Sequence, residues 1–516
     1  MSRRVARGLL PWRAAVAGTA VPVATGTGAL TAAAMLTVAA VLSARGAPLA
    51  GQSRSGEPPR NPGAESETTV YEGVSILDGT GAPLMPDMSI VVRDGRIAVL
   101  APTNERSLED WSEAEIEVAR GLYVIPGLIE SHTHLATRAD REAAEFELNR
   151  FIYGGVTTVR DMAGDVRALA ELQRAALVDE IPSPDIHYAA LLAGESFFVD
   201  PRTRASSMGE VPGRVPWLQI VNEDTDLAET IALARGTWAT GLKTYASIEG
   251  PLLARIAAEA RRQGIPVWSH THVGPALPMD VARAGVTSMS HVCSLASAAI
   301  PDEVVAEALA GRRSGIVDVA LEDPRIDAVL AEMRRQGTVL DATLKVGFFR
   351  EEMMAVGDSR ATLSTRRPDT PREEPDAPPP DPRRRGVRGK CSAEDSVPLT
   401  RRAYEAGVLI AAGTDAPPAP GAEWPALYDE LAYLRERVGM PMEDVIQAAT
   451  RNGALALGLA DEIGTVEEGK YANLVFLEED PTAGVENLKS IRFTLKRGHR
   501  FDRDEFELGT PPARRP

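Results

Sequence analysis

Tyr123-Val124-Ile125-Pro126-Gly127-Leu128-Ile129-Glu130-Ser131-His132-Thr133-His134 is the stretch on which the reading of this chain turns. A short apolar run of this kind reads as a buried strand, here Leu122–Glu130. Side chains at i and i+2 of a strand point to the same side, so His132 and His134 can face one axis and grip one cation. Taken alone, a His-x-His is weak evidence, because two polar side chains at a strand end are an ordinary outcome.

Downstream the same rhythm repeats. Further short apolar runs stand at Val156–Arg160, Ile186–Leu192, Leu242–Tyr245, Pro266–Ser269, Val286–Ser290, Val339–Ala342 and Val408–Ala412. Segments at helical spacing, such as Thr225–Ala239 and Leu252–Arg262, lie between most of them. Eight strands alternating with helices predict a parallel TIM (β/α)₈ barrel over 121–440, with an open doubly wound sheet as the second choice. Upstream, 68–120 reads as short strands, with Asp94-Gly95 as a hairpin turn. Downstream, a terminal helix (Met442–Leu457) and more short strands fill 441–502. Strands on both sides of the barrel predict one small β-sandwich domain built from both ends of the chain. The Pro-rich, charged segment 351–398 breaks the rhythm, and its proline density predicts neither helix nor strand there. A disordered insertion is the stronger reading and an active-site lid the weaker.

The chain holds seven histidines, and five fall in three places: His132 and His134, His270 and His272, and His291. Each place ends a predicted barrel strand, where barrel enzymes keep their chemistry. Lysines are few, yet Gly241-Leu242-Lys243-Thr244-Tyr245 sets one in an apolar strand. A buried ammonium is costly unless paired or neutralised; a plain Lys–carboxylate pair is the bland alternative. Asp415 ends the eighth strand, where a carboxylate can be both ligand and general base; a turn or cap aspartate is its bland alternative. Lys243, His270 and His291 follow one another at 27 and 21 residues, each near one strand–helix unit of roughly 30.

The run Tyr123 to His134 resembles the first-strand motif of the amidohydrolase superfamily. Thr157-Thr158-Val159-Arg160-Asp161 resembles the second-strand motif of its imidazolonepropionase-related, prolidase-like branch, and Ala412-Gly413-Thr414-Asp415 the eighth. Gly464 to Val475 is similar to the returning β-domain segment. The resemblance runs from about residue 68 to 502. It implies two divalent metal ions of the zinc type. His132, His134 and Asp415 would bind one, His270 and His291 the other, and Lys243, carboxylated by CO₂, would bridge them with a hydroxide. It further implies that Asp415 carries the proton to the leaving nitrogen and that Tyr245 hydrogen-bonds the carbonyl oxygen. Arg160 is a candidate for a substrate carboxylate, and His272 an alternative to His270. Met289-Ser290-His291 departs from the pattern, which usually has an acid before the histidine. Asp415 is followed by Ala416-Pro417-Pro418. Both departures bear on the substrate.

The ends and the composition narrow the rest. Residues 1–50 carry five arginines and no acid, and 14–44 carry no charge, the pattern of an export signal or an uncleaved membrane anchor. Gly, Pro and Ser make 51–67 a linker, and 503–516 reads as a tail. The net charge of −17 argues against nucleic acid as a partner. Cys293 and Cys391 make no disulfide framework; they could pair, but Cys391 falls in a loop stretch and free thiols are the stronger reading. The expected activity is hydrolysis of an amide or peptide-like C–N bond in a small molecule, with Xaa-Pro or N-acyl amino acids as candidates and a homo-oligomer allowed. The alternatives are a mononuclear cyclic amidase, deaminase or lactonase and, last, a dead exported binding protein. The leader predicts that cell fractionation finds the enzyme outside the cytoplasm; a soluble cytoplasmic pool retaining Met1 would contradict it.

Overall fold

The computed structural model describes residues 68–104, 111, 114–355 and 386–509. The leader and linker, residues 356–385 of the insertion and 510–516 of the tail lie outside the described residues. Eight strands form the barrel: Leu128–Thr133, Val156–Asp161, Asp185–Ala193, Gly241–Thr244, Val267–His270, Ser288–Ser290, Val339–Asp341 and Ile410–Ala411. Each pairs in parallel with the next. The covering helices bury stripes at helical spacing: Leu169, Leu172 and Ala176 in Val166–Leu177, and Leu252, Leu253, Ile256 and Ala260 in Gly250–Arg262. Asp140, Asp165, Asp226 and Asp323 cap four helices by accepting first-turn N–H groups.

The last seam is thin. Ser131 N–H donates to Ala412 O at 3.0 Å, and Asp415 N–H to His132 O at 2.9 Å. The buried Glu130 carboxylate bridges the same gap, accepting from His132 N–H (2.9 Å), Thr414 N–H (2.9 Å) and the Thr414 hydroxyl (3.0 Å). Burial drives the Glu130 carboxyl up to about 8, against the pull of those donors. Deeper in the barrel, Ile129, Ala189 and Trp268 pack on Ala454 and Leu457, and the Trp268 indole N–H donates to Ala456 O at 2.8 Å. Gly241 makes room, since a Cβ there would stand 2.5 Å from the Trp268 ring. The helix read at Met442–Leu457 is two helices, Met442–Ala448 and Arg451–Leu457.

The β domain is one eight-stranded sheet drawn from both ends of the chain. Five strands between Thr68 and Pro126 join Leu474–Leu477, Ile491–Lys496 and His499–Asp502. Its core holds Tyr71, Phe476 and Phe493, the last two stacked at 4.2 Å. The run Leu122–Glu130, read as one strand, is divided. Tyr123–Pro126 pairs antiparallel with Leu474–Leu477 in this sheet, whereas Leu128–Thr133 opens the barrel. Gly127 at the crossing has its hydrogen against Thr157, whose Oγ1 a Cβ would meet at 2.2 Å. Among the described residues, no helix is long and apolar enough to cross a membrane.

Two expectations are corrected. Segment 351–398 does carry structure at both ends. Leu344–Ala355 is a helix, Val387–Gly389 pairs in parallel with Gly315–Val317, and Ser392 and Asp395 form a capping box that starts the helix Ala393–Glu405. Most of the prolines stand between 368 and 382, so the flanks are spared, and Pro398 is absorbed inside the second helix. The thiols are not free either: Cys293 and Cys391 form a disulfide across 98 residues, with Cα atoms 5.5 Å apart. The returning strand Val387–Gly389 brings Cys391 to the turn after His291, a proximity that sequence distance hides. Cys391→Ser should lower unfolding stability by about 2–4 kcal/mol, the usual worth of a bridge closing a long loop. Chemical denaturation checks this, and a variant as stable as the parent would show that the bridge closes nothing.

Candidate metal centre

Every strand that ends at the mouth from the fourth to the seventh contributes a polar group, as do the first strand and the turn after the eighth. His132, from the first strand, is buried, and its Nδ1 lies 2.6 Å from Asp341 Oδ2 at the end of the seventh. That bond leaves Nε2 facing the cavity, 3.8 Å from Asp415 Oδ1. His134 Nε2 lies 3.3 Å from the same oxygen. His291 Nδ1 lies 2.8 Å from Thr343 Oγ1, and its Nε2 stands 3.1 Å from His270 Nε2 and 4.0 Å from Asp415 Oδ2. Ligand atoms of His132, His291 and Asp415 fall within 4.8 Å of one another, a spacing one cation can occupy. The two oxygens of Asp415 thus face different ways, one to the first-strand histidines and one to His291.

The backbone turns sharply to achieve this. His291 (φ 73°), Thr343 (φ 53°) and Asp415 (φ 48°) all sit in the left-handed region. Such conformations cost roughly 1–3 kcal/mol each in non-glycine residues and cluster where function needs a side chain re-aimed.

Electrostatics favours ligation. Burial holds the His132, His270 and His291 imidazoles well below their ordinary range, and neighbouring positive groups push the same way. They are therefore neutral, the form that offers a lone pair. Burial opposes ionisation of Asp415, but its contacts with His132 and His134, the second a hydrogen bond, outweigh it and hold its carboxyl well below the usual carboxylate range. Lys243 is 1 % exposed and its Nζ has no hydrogen-bond partner. Burial takes its ammonium down to about 7, with Asp415 pulling the other way. A buried amine that titrates near neutrality and has no hydrogen-bond partner, within electrostatic reach of His132, His270 and His291, is a polar atom that calls for an occupant.

Tyr245 lies with its ring 4.2 Å from that of His270 and 4.5 Å from that of Phe197. Its oxygen accepts from Arg202 NH2 at 3.1 Å, and Asp200 holds that guanidinium on two bonds. The phenolic proton is left to donate elsewhere. Among the described residues His272 makes no hydrogen bond to the cluster; burial takes its imidazole down to about 4, with Arg388 adding to the shift. The part expected of Arg160 is corrected. It is fully buried, and its guanidinium is spent on Ser131 O (2.6 Å), Ser288 Oγ (2.8 Å) and Asp341 Oδ2 (3.2 Å). It braces Asp341, the partner of His132, instead of presenting its charge to the mouth.

Asp341, Glu130 and Arg202 are the residues that sequence reasoning missed. Asp341 had a signal: Val339-Leu340-Asp341-Ala342 sets a charge in an apolar strand, the feature that singled out Lys243.

Residues 123–500 match the sequence model of the Amidohydrolase family. The chain is 26 % identical over 407 residues to an imidazolonepropionase of Symbiobacterium thermophilum, covering 77 % of this chain and 85 % of that protein. It is 25 % identical over 424 residues to one of Micrococcus luteus, covering 77 % and 88 %. Among solved structures, a Xaa-Pro dipeptidase with bound methionine is similar at a TM-score of 0.62 and 21 % identity, over 84 % of this chain and 100 % of that one. A. niger ochratoxinase is similar at 0.62 and 20 %, over 86 % and 98 %. At these identities the structural likenesses speak for the fold.

Asp341→Asn should weaken metal binding about 10- to 100-fold, since outer partners orient a ligating imidazole. Competition with a chromophoric chelator reads this directly; unchanged affinity would mean that Asp341 serves only Arg160.

Proposed function

This chain belongs to the amidohydrolase family and is a metal-dependent hydrolase of C–N bonds, and from that premise we propose that it cleaves the amide of N-acyl amino acids or Xaa-Pro dipeptides at a two-metal centre. The observation that carries the reading is Lys243, a buried amine without a hydrogen-bond partner that interacts electrostatically with His132, His270, His291 and Asp415. His132, His134 and Asp415 would hold one ion, His270 and His291 the other, and carboxylated Lys243 would lie between. When bound, such ions polarise a carbonyl and acidify water.

The chain's own residues do the rest. Asp341 keeps the His132 proton on Nδ1, so that Nε2 is the free donor atom. Asp415 accepts the proton of the attacking water and passes it to the leaving nitrogen. Tyr245, its oxygen engaged by Arg202, turns its O–H to the carbonyl oxygen as charge builds there. Phe197, against the Tyr245 ring, lines that side with an apolar face.

A one-metal reading has an observation of its own: His132, His291 and Asp415 gather round a single point without Lys243. A cyclic amide would then be the substrate, as the name of the imidazolonepropionases suggests. Counting metals at full activity separates the two. Export through residues 1–50 is also part of the proposal, and a disulfide suits an oxidising compartment.

Lys243→Ala should lose metal and activity together, and Lys243→Arg should fail likewise, because a guanidinium stays charged and cannot be carboxylated. Lys243→Glu restores a carboxylate and should keep metal with weak activity. Metal content and intact mass under bicarbonate are the measurements. Full activity and two metals in Lys243→Arg would end the two-metal proposal.

A further inference from the structure

The geometry points to Arg350 as the residue that binds the α-carboxylate of the amino acid leaving group, which makes the enzyme selective for amides with a free carboxylate next to the scissile nitrogen. This rests on the proposed amide hydrolysis and names its substrate side. Arg350 projects from the helix Leu344–Ala355, which follows the seventh barrel strand. Its NH2 lies 3.7 Å from Asp415 Oδ2, and its side chain is 49 % exposed at the mouth. The guanidinium is therefore beside the one carboxylate placed to hand a proton to the leaving nitrogen.

Covalent geometry supplies the next step. In an α-amino acid the carboxylate carbon is two bonds from the nitrogen, through N–Cα and Cα–C of about 1.5 Å each. Its oxygens then lie roughly 3 Å from that nitrogen. A nitrogen within proton-transfer reach of Asp415 thus places the carboxylate where only a group adjacent to Asp415 can meet it. Of the groups adjacent to Asp415, which include His132, His134 and His291, Arg350 is the guanidinium, and its planar fork matches a carboxylate on two bonds. The two oxygens of Asp415 divide the work: Oδ1 faces His132 and His134, and Oδ2 faces His291 and Arg350.

The helix that bears Arg350 is held firmly. The buried Glu430 carboxylate accepts from its first two N–H groups, Leu344 at 2.9 Å and Lys345 at 2.7 Å. Lys345 Nζ pairs with Asp429 at 2.8 Å, and the Phe348 ring packs 4.7 Å from that of Tyr433. Beyond Arg350, Glu351 accepts from Ala393 N–H at 2.8 Å. Arg160, by contrast, is fully buried, with each of its three nitrogens bonded to the protein.

The test compares metal-loaded wild type, Arg350→Gln, Arg350→Lys and Arg350→Glu on N-acetyl-L-amino acids and Xaa-L-proline dipeptides, each matched with its C-terminal carboxamide. Melting temperatures confirm that the variants fold. In wild type, kcat/KM should favour the acid over its amide by about 10- to 100-fold, the worth of a charge-assisted hydrogen bond. Arg350→Gln should bring that ratio close to one through KM for the acid, Arg350→Lys should restore part of it, and Arg350→Glu should invert it. A residue that only steadied Asp415 would lower both substrates alike and leave the ratio unmoved. A wild-type ratio near one, or a ratio kept in Arg350→Gln, overturns the inference. If the two-metal protein cleaves nothing in the set, the proposed function fails separately. Calorimetry with free L-proline and L-methionine then decides on Arg350: weaker binding in Arg350→Gln supports it, and equal binding refutes it.

Discussion

The Glu130 carboxylate is the joint on which the site depends. It is buried where the eighth strand meets the first, and the ladder there has only two backbone bonds. Its three donors are His132 N–H and the N–H and hydroxyl of Thr414. One of these belongs to a candidate ligand and the others to the neighbour of another, Asp415. The group that closes the barrel therefore also sets two ligands side by side. An apolar residue in its place would leave two buried N–H groups without acceptors, at roughly 1–3 kcal/mol each.

Below the histidines runs a second chain of polar contacts, from Arg160 through Asp341 to His132. All three side chains are at most 1 % exposed. Buried charges of this kind seldom add stability, because desolvation consumes most of their attraction. Their value here is positional. Asp341 meets Arg160 and His132 through the same oxygen, so the imidazole cannot turn without disturbing the guanidinium. An unpartnered amine and two left-handed ligand residues belong to the same pattern, in which local cost is concentrated where the chemistry is and carried by a well-packed barrel.

The barrel was legible because its strands are short apolar runs; seven of the eight stand where the sequence placed them, and the first lies further along, at Leu128–Thr133. The candidate cluster was legible because imidazoles are scarce and fall at strand ends. His132, His134, His270, His291, Lys243 and Asp415 converge on one mouth, while His272 stands apart from the cluster. What escaped was what sequence distance conceals. Cys293 and Cys391 gave no sign of pairing, and two cysteines cannot announce a bridge that depends on a return strand. Leu122–Glu130 read as one strand because nothing in an apolar run marks a change of sheet. Arg160 read as a substrate group because a sequence shows a charge and not the depth at which it lies. Arg350 sat at the edge of a Pro-rich stretch and drew no attention.

The disulfide has a consequence for how this enzyme can change. One foot of the bridged segment is Cys293, two residues after His291; the other is Cys391, at the start of a capped helix. With both feet fixed, chain inserted between them starts and ends at the same two points, and each doubling of an inserted loop adds only about 0.6 kcal/mol of closure entropy. The bridge thereby frames a socket. A longer segment, or an entire foreign domain, can be spliced into it without shifting the imidazole next to the bridge, so descent or design can refashion what approaches the reaction while its chemistry is inherited intact.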